Sequence, residues 1–234
     1  MIILAIDGLE LTLVNKLNLQ DLKQKRFGNT DINEFSLPKT VVLWASFLTG
    51  KNMEPKVKGD LWTFRVPPKD TFLQFFQDYK VIDLPAFSYG ECHREERKWL
   101  KEFFEKEDNQ KILKNYNQTA WRNHESQKKE FLAEINKKHN LLIGYFSLGD
   151  VISHLNFGNE KVMAEAYSEL NEIARQAHHL APKEKIIIVS DHGMQAVGSF
   201  GDHSMTGFYS LNFDSALPPK PKITDFFSLI KSCR

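Results

Sequence analysis

Apolar residues follow two patterns along this chain. Residues 1–6, 141–146 and 186–189 are short, continuous apolar runs rich in isoleucine and leucine. Such runs are expected of strands buried on both faces of a parallel sheet. Residues 81–84 are a fourth, shorter candidate. The first three runs each end in polar residues: Asp7-Gly8, Ser147 to Asp150, and Ser190-Asp191-His192-Gly193. The second pattern has helical spacing. Val162, Ala166, Leu170, Ile173 and Ala177 predict a helix over 161–180, with Pro182 just beyond its end. Residues 41–49 predict another, closed by Gly50. Residues 94–138 carry Trp99, Phe103, Phe104, Ile112, Tyr116, Trp121, Phe131 and Ile135 at irregular intervals among charges. They predict two or three helices, and 88–138 reads as a helical cap over a ligand site. Pro218, Pro219 and Pro221 mark a turn before a last helix over 224–231, with Thr224 as its N-cap and Asp225 in its first turn.

Strands alternating with helices predict an α/β fold, a mostly parallel central sheet flanked by helices, with a helical insertion. The 234 residues make one domain of that size. Apolar residues are 41% and charged residues 26%, ordinary for a globular protein. The formal charge of +1 removes any global electrostatic case for binding nucleic-acid duplexes or a membrane surface. Cys92 and Cys233 make no disulfide framework and no CxxC pattern. The first apolar run stops at Asp7 without a basic flank or a cleavage site, and no run approaches the ~20 residues that span a bilayer. The expected location is cytoplasmic.

In open α/β sheets the ligand crevice lies at the carboxyl ends of the strands. Here three strand ends carry Asp7, Asp150 and Asp191-His192. Asp150 and His154 stand four apart in DVISH, so one helical turn presents both on one face. They suit a metal, or a helix cap and a stray histidine. Asp191 and His192 face one metal if the backbone turns at Gly193; a plain strand-to-loop turn reads equally well. His203 sits in a glycine-rich stretch expected to loop back over the strand ends, with Asp202 as a rival ligand. His93, His124, His139, His178 and His179 lie in charged stretches and read as solvated. Thr40 precedes the 41–49 helix. There it serves as an N-cap, or as a nucleophile where amide N–H groups gather a phosphate. FLTGK imitates the end of a P-loop but lacks its first glycine and final hydroxyl residue.

Taken together, AIDGLE, LPKTVVLWASFLTGKNMEP, LGDVISH, IIIVSDHGM and GDHSMTGFYSLN resemble the alkaline phosphatase superfamily, and most closely its type I phosphodiesterase/nucleotide pyrophosphatase branch. The segments keep the family's order from Ile3 to about Asn212. The resemblance implies an alkaline-phosphatase-like fold and two divalent metal ions, zinc or manganese. Asp7, Thr40, Asp191 and His192 would hold one, and Asp150, His154 and His203 the other. Thr40 would attack a phosphate ester, giving a phosphothreonine intermediate. The substrate would be a small phosphate ester or a nucleotide.

The sequence departs from the family after the nucleophile helix, at EPKVKGDLWTF. Lys58 stands where many members have histidine, and their phosphate-binding asparagine is missing. Lys51, Lys58 and Arg65 are the candidate replacements. Two alternatives keep the fold: a phosphomonoesterase or sulfatase-like hydrolase, and a catalytically inactive metal-binding protein. Threonine at position 40 argues against a sulfatase, and the full set of ligand types argues against loss of catalysis.

Overall fold

A computed structural model describes residues 1–59 and 61–234. A six-stranded sheet forms its centre. In chain order its strands are β1 (Ile2–Ile6), β2 (Arg26–Asp31), β3 (Tyr79–Ile82), β4 (Leu141–Phe146), β5 (Ile186–Val189) and β8 (Thr206–Leu211). The spatial order is β2-β8-β5-β1-β4-β3. β1 pairs in parallel with β4 and β5, and β3 with β4. β8 runs antiparallel to both β5 and β2. A separate hairpin joins β6 (Gly193–Val197) to β7 (Phe200–Ser204).

The helices are α1 (Leu11–Lys16), α2 (Thr40–Thr49), α3 (His93–Glu105), α4 (Asn109–Ile135), α5 (Leu148–Asn156), α6 (Glu160–Leu180) and α7 (Phe226–Ser232). They cover both sheet faces, which explains the continuous apolar strands. Ile3, Ala5, Ile143, Tyr145, Ile187 and Val189 pack in one core with α2 and α7. Ile2, Leu4, Ile6, Leu142, Phe146, Ile186 and Ile188 pack in another with α4, α5 and α6. Alternate residues of each strand therefore belong to different cores, as the pleat requires. Helix α2 is buried along its whole length, so apolar residues surround its axis instead of forming a stripe. Full burial of each large apolar side chain contributes roughly 1.5–3 kcal/mol.

The expected strands and the α/β architecture are present, with three local corrections. The 81–84 run pairs as Tyr79–Ile82, because Asp83 has left the sheet with φ +60°. The last helix is not capped by Thr224. That hydroxyl donates to Glu34, while the Asp225 carboxylate accepts from the Lys222 N–H at 2.9 Å. His93 and His124 are not solvated, each being only 1% exposed. Both lie where α3 or α4 packs inward, and each meets carboxylate: Asp83 and Glu96 for His93, Glu169 for His124. The 88–138 segment contains two helices. α4 packs on β3 and β4 and against α5 and α6, with α3 alongside it. Among the described residues, no helix is long and apolar enough to cross a membrane.

Candidate active site

The carboxyl ends of β1, β4 and β5 lie side by side, so their trailing residues converge. Asp7 follows β1, Asp150 sits in the first turn of α5 just after β4, and Asp191 and His192 follow β5. Gly8 closes the first turn with φ +68°, and a Cβ there would lie 2.7 Å from the Asp150 Cα. Only glycine lets these two chain segments touch. Gly193 has a different role from the turn expected of it. Its φ is not left-handed, but a Cβ would collide with Glu10 Oε2 and lie 2.8 Å from Ser204 Oγ. His203 is carried not by a loop but by β7, whose hairpin swings back against α5. Asp202 is exposed, and its carboxylate accepts from the His203 backbone N–H.

Three imidazoles share one arrangement. The Nδ1 atoms of His154, His192 and His203 meet backbone carbonyls of Gly201, Gly193 and Pro38 at 3.2, 3.1 and 2.9 Å. Such contacts place the proton on Nδ1 and turn the Nε2 lone pair inward. The inward nitrogens face carboxylates. His203 Nε2 lies 3.1 Å and His154 Nε2 3.4 Å from Asp150 Oδ1. His192 Nε2 lies 3.2 Å from Asp7 Oδ1 and 3.4 Å from Asp191 Oδ2. Thr40 Oγ1 is 3.3 Å from His192 Nε2. Thr40 is the first residue of α2, Lys39 is the N-cap, and no side chain caps that terminus.

Four buried carboxylate oxygens accept no hydrogen bond: Asp7 Oδ1, Asp150 Oδ1 and both oxygens of Asp191. Buried anions without donors are costly, and Asp7 and Asp191 show it. Burial, reinforced by Asp150, pushes the Asp7 carboxyl up to about 7, and burial with Asp7 pushes Asp191 up as well. Burial opposes the charge on His203, yet Asp150 raises it to about 9. Burial also opposes ionisation of Asp150, but His154 and His203 hold it well below the usual carboxylate range. Burial takes His192 down to about 3. The raised Asp7 and Asp191 leave the pocket short of positive charge. Ligand atoms of Asp7, Asp191 and His192 lie within 4.8 Å of one another, as do those of Asp150, His192 and His203.

Sequence reasoning missed several neighbours. The Tyr145 hydroxyl, near the end of β4, donates to Asp7 Oδ2. A tyrosine inside an otherwise apolar strand was the available signal. The cavity beside Thr40 has a volume of about 270 Å³, and Lys39, Trp62, Tyr89, Glu96, Arg97 and Leu100 also line it. Lys51 and Arg65 instead line a separate groove near Phe227. Arg65 spends its guanidinium on the carbonyls of Trp62, Phe64 and Tyr89. Lys58 is exposed and lines neither cavity.

A family model described as type I phosphodiesterase / nucleotide pyrophosphatase matches residues 75–209, more than half of the chain. The match includes Asp150, His154, Asp191, His192 and His203; Asp7 and Thr40 precede it. No curated protein matches by sequence. Murine ectonucleotide pyrophosphatase/phosphodiesterase 5 has a similar structure, with a TM-score of 0.51 and 13% identity over 85% of this chain and 58% of that one. For phosphonoacetate hydrolase from Sinorhizobium meliloti the TM-score is 0.50 and the identity 13%, over 83% and 56%. For alkaline phosphatase from the Antarctic bacterium TAB5 they are 0.57 and 12%, over 99% and 96%. At such identities the likeness is one of fold. The chain spans less than two thirds of the length of the first two.

Proposed function

Because this chain belongs to the type I phosphodiesterase/nucleotide pyrophosphatase family, we propose that it is a metal-dependent phosphate-ester hydrolase that attacks with Thr40. One observation carries the reading. Thr40 Oγ1 borders a cage of three carboxylates and three inward imidazole nitrogens, and four of the cage's oxygens have no hydrogen-bond donor. The donor set of carboxylate and imidazole suits zinc or manganese. Asp7, Thr40, Asp191 and His192 would hold one ion, and Asp150, His154 and His203 the other. When bound, a pair of divalent ions supplies the positive charge that acidifies the threonine hydroxyl and balances the charge on the transferring group.

The protein's own groups do the positioning. His192 orients the Thr40 hydroxyl, Asp7 faces His192, and Tyr145 holds Asp7. The uncapped first turn of α2 offers amide N–H groups to phosphoryl oxygens. The Thr40 oxygen bonds to phosphorus as the opposite ester bond breaks, and the proton the hydroxyl releases ends on the leaving-group oxygen. Water then cleaves the phosphothreonine and restores the hydroxyl. Helix α3, from the 88–138 segment, lines the cavity with Glu96, Arg97 and Leu100 and is the element that would select the leaving group. A cavity of about 270 Å³ favours a small ester. Two unpaired thiols fit a reducing, cytoplasmic setting.

Turnover of bis(p-nitrophenyl) phosphate, p-nitrophenyl phosphate and a nucleotide p-nitrophenyl ester tests this, with metal content measured on the same sample. Thr40→Ala should cost on the order of a thousandfold or more in turnover while the metals stay bound. Near-normal activity in that variant would remove Thr40 as the nucleophile. A preference for the monoester would move the protein to the phosphomonoesterase reading.

A further inference from the structure

The cavity beside Thr40 holds a cation that the hydrolytic chemistry does not use. Arg97, on α3, is half-buried in the cavity wall. Its guanidinium carbon lies 4.4 Å from the centre of the Trp62 ring and 5.8 Å from that of Tyr89. Its one polar contact among the described residues is long, 3.5 Å from Nη1 to the Tyr89 hydroxyl. Among the described residues it has no carboxylate partner. Arginine presents five N–H donors in a fixed plane, so most of this fork is unspent.

The neighbouring acid does not neutralise it. Among the described residues, the carboxylates lining the cavity are Asp7 and Asp150 of the proposed cage and Glu96. Glu96 is buried with both oxygens committed, Oε2 to His93 Nδ1 at 2.8 Å and Oε1 accepting from Asn123 at 2.8 Å. His93 also holds Asp83 at 2.7 Å. That network anchors the shelf on which Arg97 rests. Tyr89 stacks on His93 at 4.2 Å, and Trp62 stacks on Tyr89 at 5.3 Å. The guanidinium therefore lies over a fixed aromatic surface, with its donors open to whatever fills the cavity. Lys39, the other basic residue on the wall, is exposed beside Thr40 and has no such support.

We propose that Arg97 is the receptor for a second anionic group on the substrate, a phosphate or a carboxylate a few bonds from the phosphorus that Thr40 attacks. This rests on the hydrolase reading and narrows it to small esters or anhydrides that carry two anions. Thr40 and Arg97 line the same cavity of about 270 Å³, so a ligand that fills it from Thr40 reaches Arg97. A planar guanidinium binds either anion through paired N–H donors.

The test is binding, which needs no turnover. Calorimetry on the zinc-loaded protein compares methylphosphonate, methylenediphosphonate and 3-phosphonopropionate, which share a phosphonate head and carry no second anion, a phosphonate and a carboxylate. The wild type should bind at least one two-headed probe more tightly than methylphosphonate, and the probe whose advantage depends on Arg97 identifies the anion. Arg97→Ala and Arg97→Gln should each cut that preference about tenfold or more, and Arg97→Lys should restore part of it. An absent preference in the wild type, or one that survives in the folded Ala and Gln variants, overturns the proposal. A protein that hydrolyses no ester would sink the proposed activity, while the binding result would still decide the role of Arg97.

Discussion

Gly8 shows how little room single residues have at this centre. Its left-handed φ of +68° and the 2.7 Å that a Cβ would leave to the Asp150 Cα are two separate demands for glycine. Gly8→Ala must strain one backbone or displace the other, and Asp150 is a carboxylate of the cage. The variant should lose on the order of 1–3 kcal/mol of stability and bind zinc more weakly than wild type. Urea unfolding and a zinc titration measure the two effects. Unchanged metal affinity would mean that the close approach does not set the position of Asp150. Trp44 and Tyr145 show the same dependence on neighbours. Their rings meet edge to face at 5.9 Å, which fixes the tyrosine whose hydroxyl holds Asp7.

At the scale of elements, α3 packs along α4, and one buried histidine ties its start to the end of β3. Asp83 and Glu96 grip both nitrogens of His93. Burial works against its charge, but Asp83, Cys92 and Glu96 push it up to about 12. An unfolded histidine titrates near 6.5, so between these values the folded chain keeps a proton that the unfolded chain has lost. The stability from this group is complete below about pH 6.5 and drains as pH rises toward 12, by at most ~1.4 kcal/mol per pH unit. Urea unfolding at pH 7, 8 and 9 should show wild type weakening with a steeper slope than His93→Gln. Equal slopes would remove the imidazolium from the account. Strand β7 acts as an element in the same sense: without its hairpin, nothing would return His203 to α5.

The whole molecule brings three buried carboxylates together where three strands end. Burial first, and repulsion among the carboxylates second, raises Asp7 and Asp191 in the folded protein. Chelation should therefore lower the melting temperature, and zinc or manganese should raise it. A ligand at a hundred times its dissociation constant adds ~2.7 kcal/mol, and each kcal/mol moves the midpoint by about 2–4 °C in a chain of this size. Asp191→Asn separates a cation cage from ordinary packing. It should leave the metal-free protein as stable as wild type or more so, yet remove most of the gain from added metal. A calorimetric scan showing the same gain in both proteins would contradict the cage.

The strands were readable because burial on both faces leaves a local trace, an unbroken apolar run. The residue types at the strand ends were readable because a motif is local too. Burial of His93 and His124 left no such trace, since each lies among charges in sequence and is enclosed only when α3 and α4 pack against other elements. Nothing local marks Arg97: the fold sets it over Trp62 and binds its neighbour Glu96 elsewhere. Lys51 and Arg65 looked equally suitable, but packing faces them into another groove. The sequence by itself determined which segments become buried strands and which donor types follow them. Tertiary structure alone decided which side chains meet, because those distances depend on a strand order, β5-β1-β4, that joins residues more than a hundred positions apart.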